Sequence, residues 1–223
     1  MLGEELIVGG VDEAGRCPIL GPMVIAGVSL RRNLESKLSG VLRDSKKLTP
    51  GRREKLFQVV KKVASNIAVK VVDPEIIDKW IIRFKGGLNL LEVKFFAEVI
   101  SNLGAKVVYV DSCDIKPERF RERIKQFLGG EEIDIISETG ADERYPVVSA
   151  ASIVAKVLRD REMGRLKRIY GDFGSGYPSD ERTIKFLENY YLTNKQFPPI
   201  TRQSYKTIFR IKKKHDRLNL KGV

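Results

Sequence analysis

The sequence has few of the residues that build disulfide frameworks and zinc sites, and it lacks the long apolar run of a membrane span. Among 223 residues there are two cysteines, one histidine and one tryptophan. Cys17 and Cys113 cannot form a disulfide framework, and they lack the spacing of metal-ligand cysteines. No apolar run approaches the roughly 18 residues of a membrane-spanning helix, and acids stand near the first residue where a secretory signal has basic groups. We therefore expect a cytoplasmic protein with no membrane partner.

Positive charge, by contrast, is abundant and unevenly spread. Lysine and arginine number 41 against 29 aspartates and glutamates, which gives a net charge of +12. Residues 195–223 contain nine of these basic groups and one aspartate. Such a balance favours a polyanionic partner, with nucleic acid as the first candidate. A lysine-rich surface that binds no nucleic acid is the alternative that charge alone leaves open.

Apolar runs alternate with amphipathic stretches along the chain, and this pattern predicts an α/β fold with a mixed central sheet flanked by helices. The three N-terminal strands are candidates for antiparallel pairing, and the segment after Pro198 and Pro199 is a candidate helical extension. We predict strands at 5–11, 22–30, 66–72, 107–110 and 133–137, and helices at 49–64, 88–103, 117–128, 147–168 and 180–192.

Carboxylates stand at the ends of two predicted strands. Asp12 and Glu13 follow the first apolar run, and Asp111 closes the run Val107–Val110. Acids are poor strand residues and expensive to bury, so their position is either chance placement at the solvent or a convergence that a cation neutralises. Asp142, just before the long predicted helix, is a further candidate. Oxygen ligands without histidine or cysteine suit Mg²⁺ or Mn²⁺.

Four motifs, in order along the chain, resemble those of ribonuclease HII in its archaeal form. They are DEAGRCPILGP (12–22), DSKKL (44–48), YVDS (109–112) and the block from Ala141 to Asp160 that contains YPVVSAASIVAK. The resemblance implies a ribonuclease H-like fold. It implies an endonuclease that hydrolyses the RNA strand of RNA–DNA hybrids and cuts 5′ to ribonucleotides embedded in duplex DNA.

The resemblance also assigns roles to the four acids. Asp12, Glu13, Asp111 and Asp142 become the catalytic, metal-binding set, with Mg²⁺ or Mn²⁺ as cofactor. Two ions about 3.5–4 Å apart would activate water and stabilise the departing 3′-oxygen, leaving 5′-phosphate and 3′-hydroxyl ends.

A second set of residues is implied to bind substrate. The Gly-Arg turn at 15–17 would contact the 2′-hydroxyl that only RNA offers. Two positions depart from the family pattern, because Cys17 replaces a glycine and Tyr205 replaces the usual tryptophan of an Arg-x-Ser-Trp motif that begins at Arg202. The full predicted set is Gly15, Arg16, Cys17, Lys46, Ser149, Ser152, Lys156, Tyr177 and Arg202.

The segment after the long predicted helix, near residues 171–178, divides the chain into an expected catalytic domain, 1–175, and a basic C-terminal extension, 176–223, that we expect to pack on it and contact substrate. We expect a monomer. Two alternatives are a ribonuclease H-like nuclease or resolvase with another substrate, and a non-catalytic, basic nucleic-acid-binding protein. The glycine-arginine turn together with the DSKKL block argues against the first, and the strand-ending acids argue against the second.

Overall fold

A computed structural model describes residues 6–42 and 49–219. Fourteen helices and strands lie in this part of the chain, besides a 3₁₀ turn at Arg32–Leu34. They are β1 (Ile7–Ala14), β2 (Met23–Arg31), α1 (Glu35–Leu42), α2 (Pro50–Val63), β3 (Asn66–Val72), α3 (Pro74–Arg83), α4 (Gly87–Ser101), β4 (Val107–Asp111), α5 (Pro117–Leu128), β5 (Asp134–Glu138), α6 (Ala141–Arg144), α7 (Pro146–Tyr170), α8 (Glu181–Asn194) and α9 (Lys206–Asn219). None of these helices has the length and apolar character needed to cross a membrane.

The chain forms two compact units. Of the described residues, the first contains 6–14, 24–42, 49–71 and 89–160, and the second contains 15–23, 72–88 and 161–219. The long helix α7 therefore contributes its first part to one unit and its last part to the other. The sequence-based division at residue 175 falls inside the second unit and stays a prediction.

The first unit is built on a five-stranded sheet with the order β3-β2-β1-β4-β5. β1 pairs antiparallel with β2 and parallel with β4, and β4 pairs parallel with β5. This is the mixed sheet that the sequence predicts. β4 lies beside β1 although more than 90 residues separate them, as a crossover connection requires.

Two glycines allow helices to pack directly on the two faces of this sheet. A Cβ at Gly10 would lie 2.4 Å from the carbonyl carbon of Val147, so the start of α7 touches the backbone of β1. On the other face, a Cβ at Gly27 would lie 2.6 Å from the side chain of Val99 in α4. The absence of side chains at these points sets the depth of both helices.

The second unit has a core of its own. Its buried residues come from the segment after β1, the end of α7, and helices α8 and α9. Arg202, at 0% exposure, is the largest fully buried side chain of the described residues. The core members are Ile19, Leu20, Met163, Leu166, Phe173, Leu187, Tyr191, Phe197, Ile200, Ile208 and Ile211.

Candidate active site

The register of the sheet brings Asp12 and Asp111 together. Val11 pairs with Val110 in the parallel β1–β4 ladder, so the next residue of each strand lies at the same edge of the sheet. One carboxylate oxygen from each of Asp12, Asp111 and Asp142 lies within 4.8 Å of the others. We call these three side chains the carboxylate cluster.

The turn at residues 140–141 fixes the side chain of Asp111 through its backbone amides and places Asp142 next to it. The Oδ1 atom of Asp111 accepts hydrogen bonds from the N–H groups of Gly140 (2.7 Å) and Ala141 (3.1 Å). Gly140 has a φ of +72°, a left-handed conformation that glycine adopts without strain. The chain then enters α6, whose second residue is Asp142, 6% exposed. The same turn therefore fixes two of the three carboxylates.

Burial and like charge act against ionisation of Asp12. The side chain is 5% exposed, and burial, with a smaller contribution from the negative charge of Asp111, raises its pKa to about 6. A hydrogen bond from Ser152 and the positive charge of Lys156 lower the pKa and so limit this rise. Lys156 Nζ also donates to Ser152 Oγ at 2.7 Å, which makes a chain from lysine through serine to the carboxylate.

The donor set of the carboxylate cluster fits a hard divalent cation. Three acidic oxygens converge, they are mostly buried, and the described residues place no histidine or cysteine with them. A divalent cation would stabilise the buried negative charge of Asp12 and offset its repulsion from Asp111, the two effects that raise the pKa of Asp12. Oxygen-only sites of this kind suit Mg²⁺ and Mn²⁺, and Asp12, Asp111 and Asp142 are the residues that would hold the ion.

Three further residues predicted for the site, Glu13, Ser149 and Lys46, are not part of the carboxylate cluster. Glu13 is half-buried and is not one of the three converging carboxylates, although its backbone N–H donates to Asp12 Oδ1 at 2.7 Å. The hydroxyl of Ser149, in the first turns of α7, is buried with no hydrogen-bond partner among the described residues. Lys46 and the rest of the DSKKL motif lie outside the described residues.

Sequence reasoning missed an aromatic and acidic group beside the cluster. Tyr109 and Tyr145 stack with ring centroids 4.2 Å apart, and Tyr145 Oη donates to Glu138 at 2.9 Å. That hydrogen bond is the main reason why the pKa of Tyr145 is raised. Tyr109 precedes Asp111 by two residues and so lies on the same face of β4. This spacing was the available signal.

In the second unit, residues 15–21 form a turn that surrounds the guanidinium of Arg202. Arg202 Nη2 donates to the carbonyl of Gly15 (2.6 Å), and Nη1 donates to the carbonyl of Arg16 (2.8 Å). Nε and Nη2 both donate to the carbonyl of Gly21, at 3.1 and 3.0 Å. Gly15 and Gly21 have φ angles of +88° and +81°, which explains why glycine stands at these two positions.

The loop that carries Tyr177 is bonded to the same turn. The carbonyl of Gly176 accepts hydrogen bonds from the N–H groups of Ile19 (2.8 Å) and Leu20 (3.2 Å). Asp180 accepts from the N–H of Ser175, and this bond, followed by the one from Arg182, lowers the pKa of Asp180 well below its usual range. Tyr177 itself is 37% exposed. Arg202 is thus hydrogen-bonded to the turn that contains Gly15, Arg16 and Cys17, and the loop of Tyr177 is bonded to the same turn through Gly176.

Cys17 fits this turn without backbone strain. Its side chain is exposed, and Lys195 is the one non-glycine residue of the described chain with a positive φ. A glycine is therefore not required at position 17 by backbone conformation.

The basic run at 210–214 lies on a packed helix. Ile208, Ile211 and His215 of α9 are buried, whereas Arg210, Lys212 and Lys213 are exposed. Lys214 pairs with Glu188 at 2.7 Å. The exposed cations form one basic face of α9.

Comparison with known proteins is consistent across sequence and structure. A family model described as ribonuclease HII matches residues 9–208. Ribonuclease HII of Pyrococcus abyssi is 46% identical over 216 residues, which are 96% of this chain and 94% of the relative.

Two solved structures have the same architecture. The ribonuclease H2 of Pyrococcus horikoshii OT3 aligns with a TM-score of 0.88 and 42% identity, over 95% of this chain and 100% of that one. The ribonuclease HII in a complex with PCNA from Archaeoglobus fulgidus aligns with a TM-score of 0.82 and 39% identity, over 90% and 96% of the two chains. The fold expected from the motifs, ribonuclease H-like, is confirmed.

Proposed function

Because this chain belongs to the ribonuclease HII family, we propose that its carboxylate cluster hydrolyses the RNA strand of RNA–DNA hybrids with divalent-metal ions. We also propose that it cuts 5′ to ribonucleotides embedded in duplex DNA and leaves 5′-phosphate and 3′-hydroxyl ends. The observation that carries the proposal is the convergence of Asp12, Asp111 and Asp142 within 4.8 Å. A protein that only binds nucleic acid gains nothing from three converging acids, two of them buried, because carboxylates repel phosphate.

The proposed cofactor is Mg²⁺ or Mn²⁺, held by Asp12, Asp111 and Asp142, with Glu13 completing the set. When bound, such ions favour ionised water near neutral pH and stabilise the charge of a leaving alkoxide. The protein's own groups prepare the ligands. Lys156 and Ser152 favour the ionised form of Asp12, and the amides of residues 140 and 141 orient Asp111.

Recognition of the ribonucleotide is proposed for Gly15, Arg16 and Cys17, whose backbone would meet the 2′-hydroxyl. Tyr177 would stack on a neighbouring sugar, in keeping with its partial exposure. Lys46, Ser149, Ser152 and Lys156 would act on phosphate oxygens. Ser152 would do so while it also hydrogen-bonds to the Asp12 side chain, and Lys156 while it donates to Ser152. Arg202 would act through the turn that it fills.

The second candidate, a non-catalytic nucleic-acid-binding protein, is favoured by the net charge of +12 and by the basic face of α9. It gives no reason for a buried Asp12 beside a second carboxylate, whose pKa is raised mainly by burial and to a smaller extent by the charge of Asp111. A monomer and a cytoplasmic location remain predictions.

The test uses three duplexes of one sequence: a long RNA–DNA hybrid, a DNA duplex with one ribonucleotide, and an all-DNA duplex. Each is incubated with the protein in Mg²⁺, in Mn²⁺ or in EDTA. We expect metal-dependent cutting of the first two, with 3′-hydroxyl ends at the cut. Binding without cutting in either metal would support the second candidate and contradict the proposal.

A further inference from the structure

We propose that Arg202 and the hydroxyl of Tyr205 are positioning residues that set this enzyme's preference for ribonucleotides, although neither needs to touch substrate. The proposal rests on the proposed function, because it concerns how the 15–21 turn recognises RNA. We call these two side chains the Arg202 clamp.

Every donor of the Arg202 guanidinium is already used. The group has five N–H donors in a rigid fork. Their acceptors are the carbonyls of Gly15, Arg16 and Gly21, with two bonds to Gly21, and the hydroxyl of Tyr205 at 3.0 Å. A side chain that is 0% exposed and saturated in this way has no donor left for a phosphate. Its work is done inside the protein.

Tyr205 completes the arrangement through its hydroxyl. Tyr205 Oη accepts from Arg202 Nη1 and donates to the carbonyl of Arg16 at 2.8 Å. The carbonyl of Arg16 thus has two donors from the clamp. A tryptophan has only a ring N–H, a donor that cannot accept from arginine, so this double role depends on the tyrosine of this chain.

Asp78 fixes the backbone that follows Arg202. Its carboxylate accepts hydrogen bonds from the N–H groups of Gln203 (2.7 Å) and Ser204 (2.9 Å), and also from the Ser204 hydroxyl. The N–H of Arg202 donates to the carbonyl of Ile19 at 2.9 Å. The segment around Arg202 is therefore fixed on both sides of the side chain that fills the turn.

Fixing the carbonyls also fixes the amides that follow them. The chain has no cis peptide among the described residues, and in a trans peptide the C=O and N–H point in opposite directions. Carbonyls of Gly15 and Arg16 that point at the clamp therefore turn the N–H groups of Arg16 and Cys17 away from it. Two successive amides held in one direction make a preorganised donor pair for an oxygen.

The consequence is a division of labour within the turn. The amides of residues 16 and 17 recognise an oxygen of the ribose, and the clamp determines their direction. Because these contacts use backbone atoms, the presence of cysteine instead of glycine at position 17 does not alter them. Loosening the clamp should reduce discrimination between RNA and DNA more than it reduces binding to the phosphate backbone.

The experiment compares Tyr205→Phe, Arg202→Lys and a matched control, Tyr191→Phe. Tyr191 is also mostly buried, and its hydroxyl bonds to Asp216 at 2.8 Å instead of the turn. Dissociation constants are measured in EDTA, so that nothing is cut, for a DNA duplex with one ribonucleotide and for the all-DNA duplex. Unfolding temperatures are recorded for each variant.

We expect the ratio of the two dissociation constants to fall about three- to tenfold in Tyr205→Phe and further in Arg202→Lys. Binding to all-DNA duplex should stay near the wild-type value, and Tyr191→Phe should keep the wild-type ratio. A merely structural role would weaken both duplexes alike. If Arg202→Lys fails to fold, Tyr205→Phe decides the question.

An unchanged ratio in Tyr205→Phe, in a protein whose wild type discriminates, would overturn the clamp and leave the nuclease proposal standing. Equal binding of both duplexes by the wild type would overturn the clamp as well. Metal-dependent cutting of the hybrid, measured separately, shows whether the proposed function survives either result.

Discussion

The carboxylate cluster and the Arg202 clamp solve opposite problems with buried charge. In the cluster, burial and the charge of Asp111 raise the pKa of Asp12 to about 6, so the surroundings of this carboxylate destabilise its ionised form. In the clamp, a buried guanidinium meets an acceptor at each of its donors. The difference indicates that the carboxylate cluster is built to bind a ligand, whereas the Arg202 clamp has a structural role beside a binding site.

The comparison also predicts different responses to substitution. Removing a charge from the cluster relieves repulsion, so the protein should gain stability while it loses chemistry. Removing a donor from the clamp leaves buried carbonyls without a partner, so the protein should lose stability and selectivity together.

The largest effect is expected for Asp12→Asn. The substitution removes a proposed metal ligand, so cleavage of an RNA–DNA hybrid in Mg²⁺ should fall more than about a thousandfold. Hybrid binding should stay within about threefold, because phosphate contacts supply most of the affinity. Asp160→Asn is the control, since Asp160 pairs with Arg53 at 2.6 Å outside the cluster. Comparable cleavage by both variants would remove Asp12 from the mechanism.

The next largest effect is expected for Gly10→Ala, which would disturb the packing of α7 on β1 beneath the carboxylate cluster. Gly10→Ala would place a Cβ 2.4 Å from the backbone of Val147, so α7 must move away from β1. We expect a loss of about 3 kcal/mol in the free energy of unfolding, measured in urea, together with reduced cleavage. Gly51→Ala in α2 is the matched control, because its Cβ meets nothing within 4 Å. Equal stability of the two variants would show that this contact does not set the position of α7.

A smaller effect should appear in the pH dependence of stability without metal. The pKa of Asp12 is raised to about 6 in the folded protein from a usual 3.8, so the folded state holds this proton more tightly than the unfolded state. Stability is therefore lost as pH rises from 4 through 6, by up to about 3 kcal/mol.

Asp12→Asn lacks this titration and isolates it from that of other groups. In EDTA the variant should be as stable as the wild type below pH 4 and more stable at pH 8, as measured by urea unfolding. A constant difference across this range would contradict the raised pKa of Asp12.

The smallest effect is expected for Cys17→Gly. The turn is held through backbone carbonyls, and Cys17 has no left-handed backbone conformation to relieve. Cutting at a single embedded ribonucleotide should change less than about threefold relative to the long hybrid. A larger gain on the embedded ribonucleotide would show that the cysteine side chain obstructs the sugar.

Much of the fold follows from local signals in the sequence. Thr49 and Pro50 mark the start of α2, and the structure shows Thr49 as its N-cap. The predicted strand at 66–72 and the β-branched run at 107–110 form β3 and β4, and the predicted strand at 133–137 forms β5 at the edge of the sheet.

Helix α3 was not predicted, because its cluster of isoleucines around Trp80 resembles a core segment more than an amphipathic pattern. In the structure, Ile77 is buried, Trp80 is half-buried, and Ile82 is 78% exposed. The exposed isoleucine obscures the periodicity on which helix prediction depends.

The candidate site also has a part that the sequence predicts and a part that it does not. Acids next to apolar runs are visible in a sequence, because carboxylates are costly there, and Asp12 and Asp111 were found for that reason. Asp111 is the last residue of β4 as predicted, whereas β1 continues past the predicted end to Ala14, so Asp12 lies inside that strand. Apart from the Tyr205 hydroxyl, the partners of Arg202 lie more than 180 residues away and are backbone carbonyls, which any residue type supplies. Asp78 likewise has no distinguishing neighbours in the sequence, so only the structure reveals these contacts.

The most direct test is to measure the binding of Mn²⁺ to the intact protein by isothermal titration calorimetry, without nucleic acid. Wild type and Asp111→Asn are compared, since Asp111 belongs to the converging carboxylates. We predict saturable binding by the wild type and an affinity lowered by more than about tenfold in the variant. Equal affinity of the two proteins would contradict a metal site at the carboxyl ends of β1 and β4.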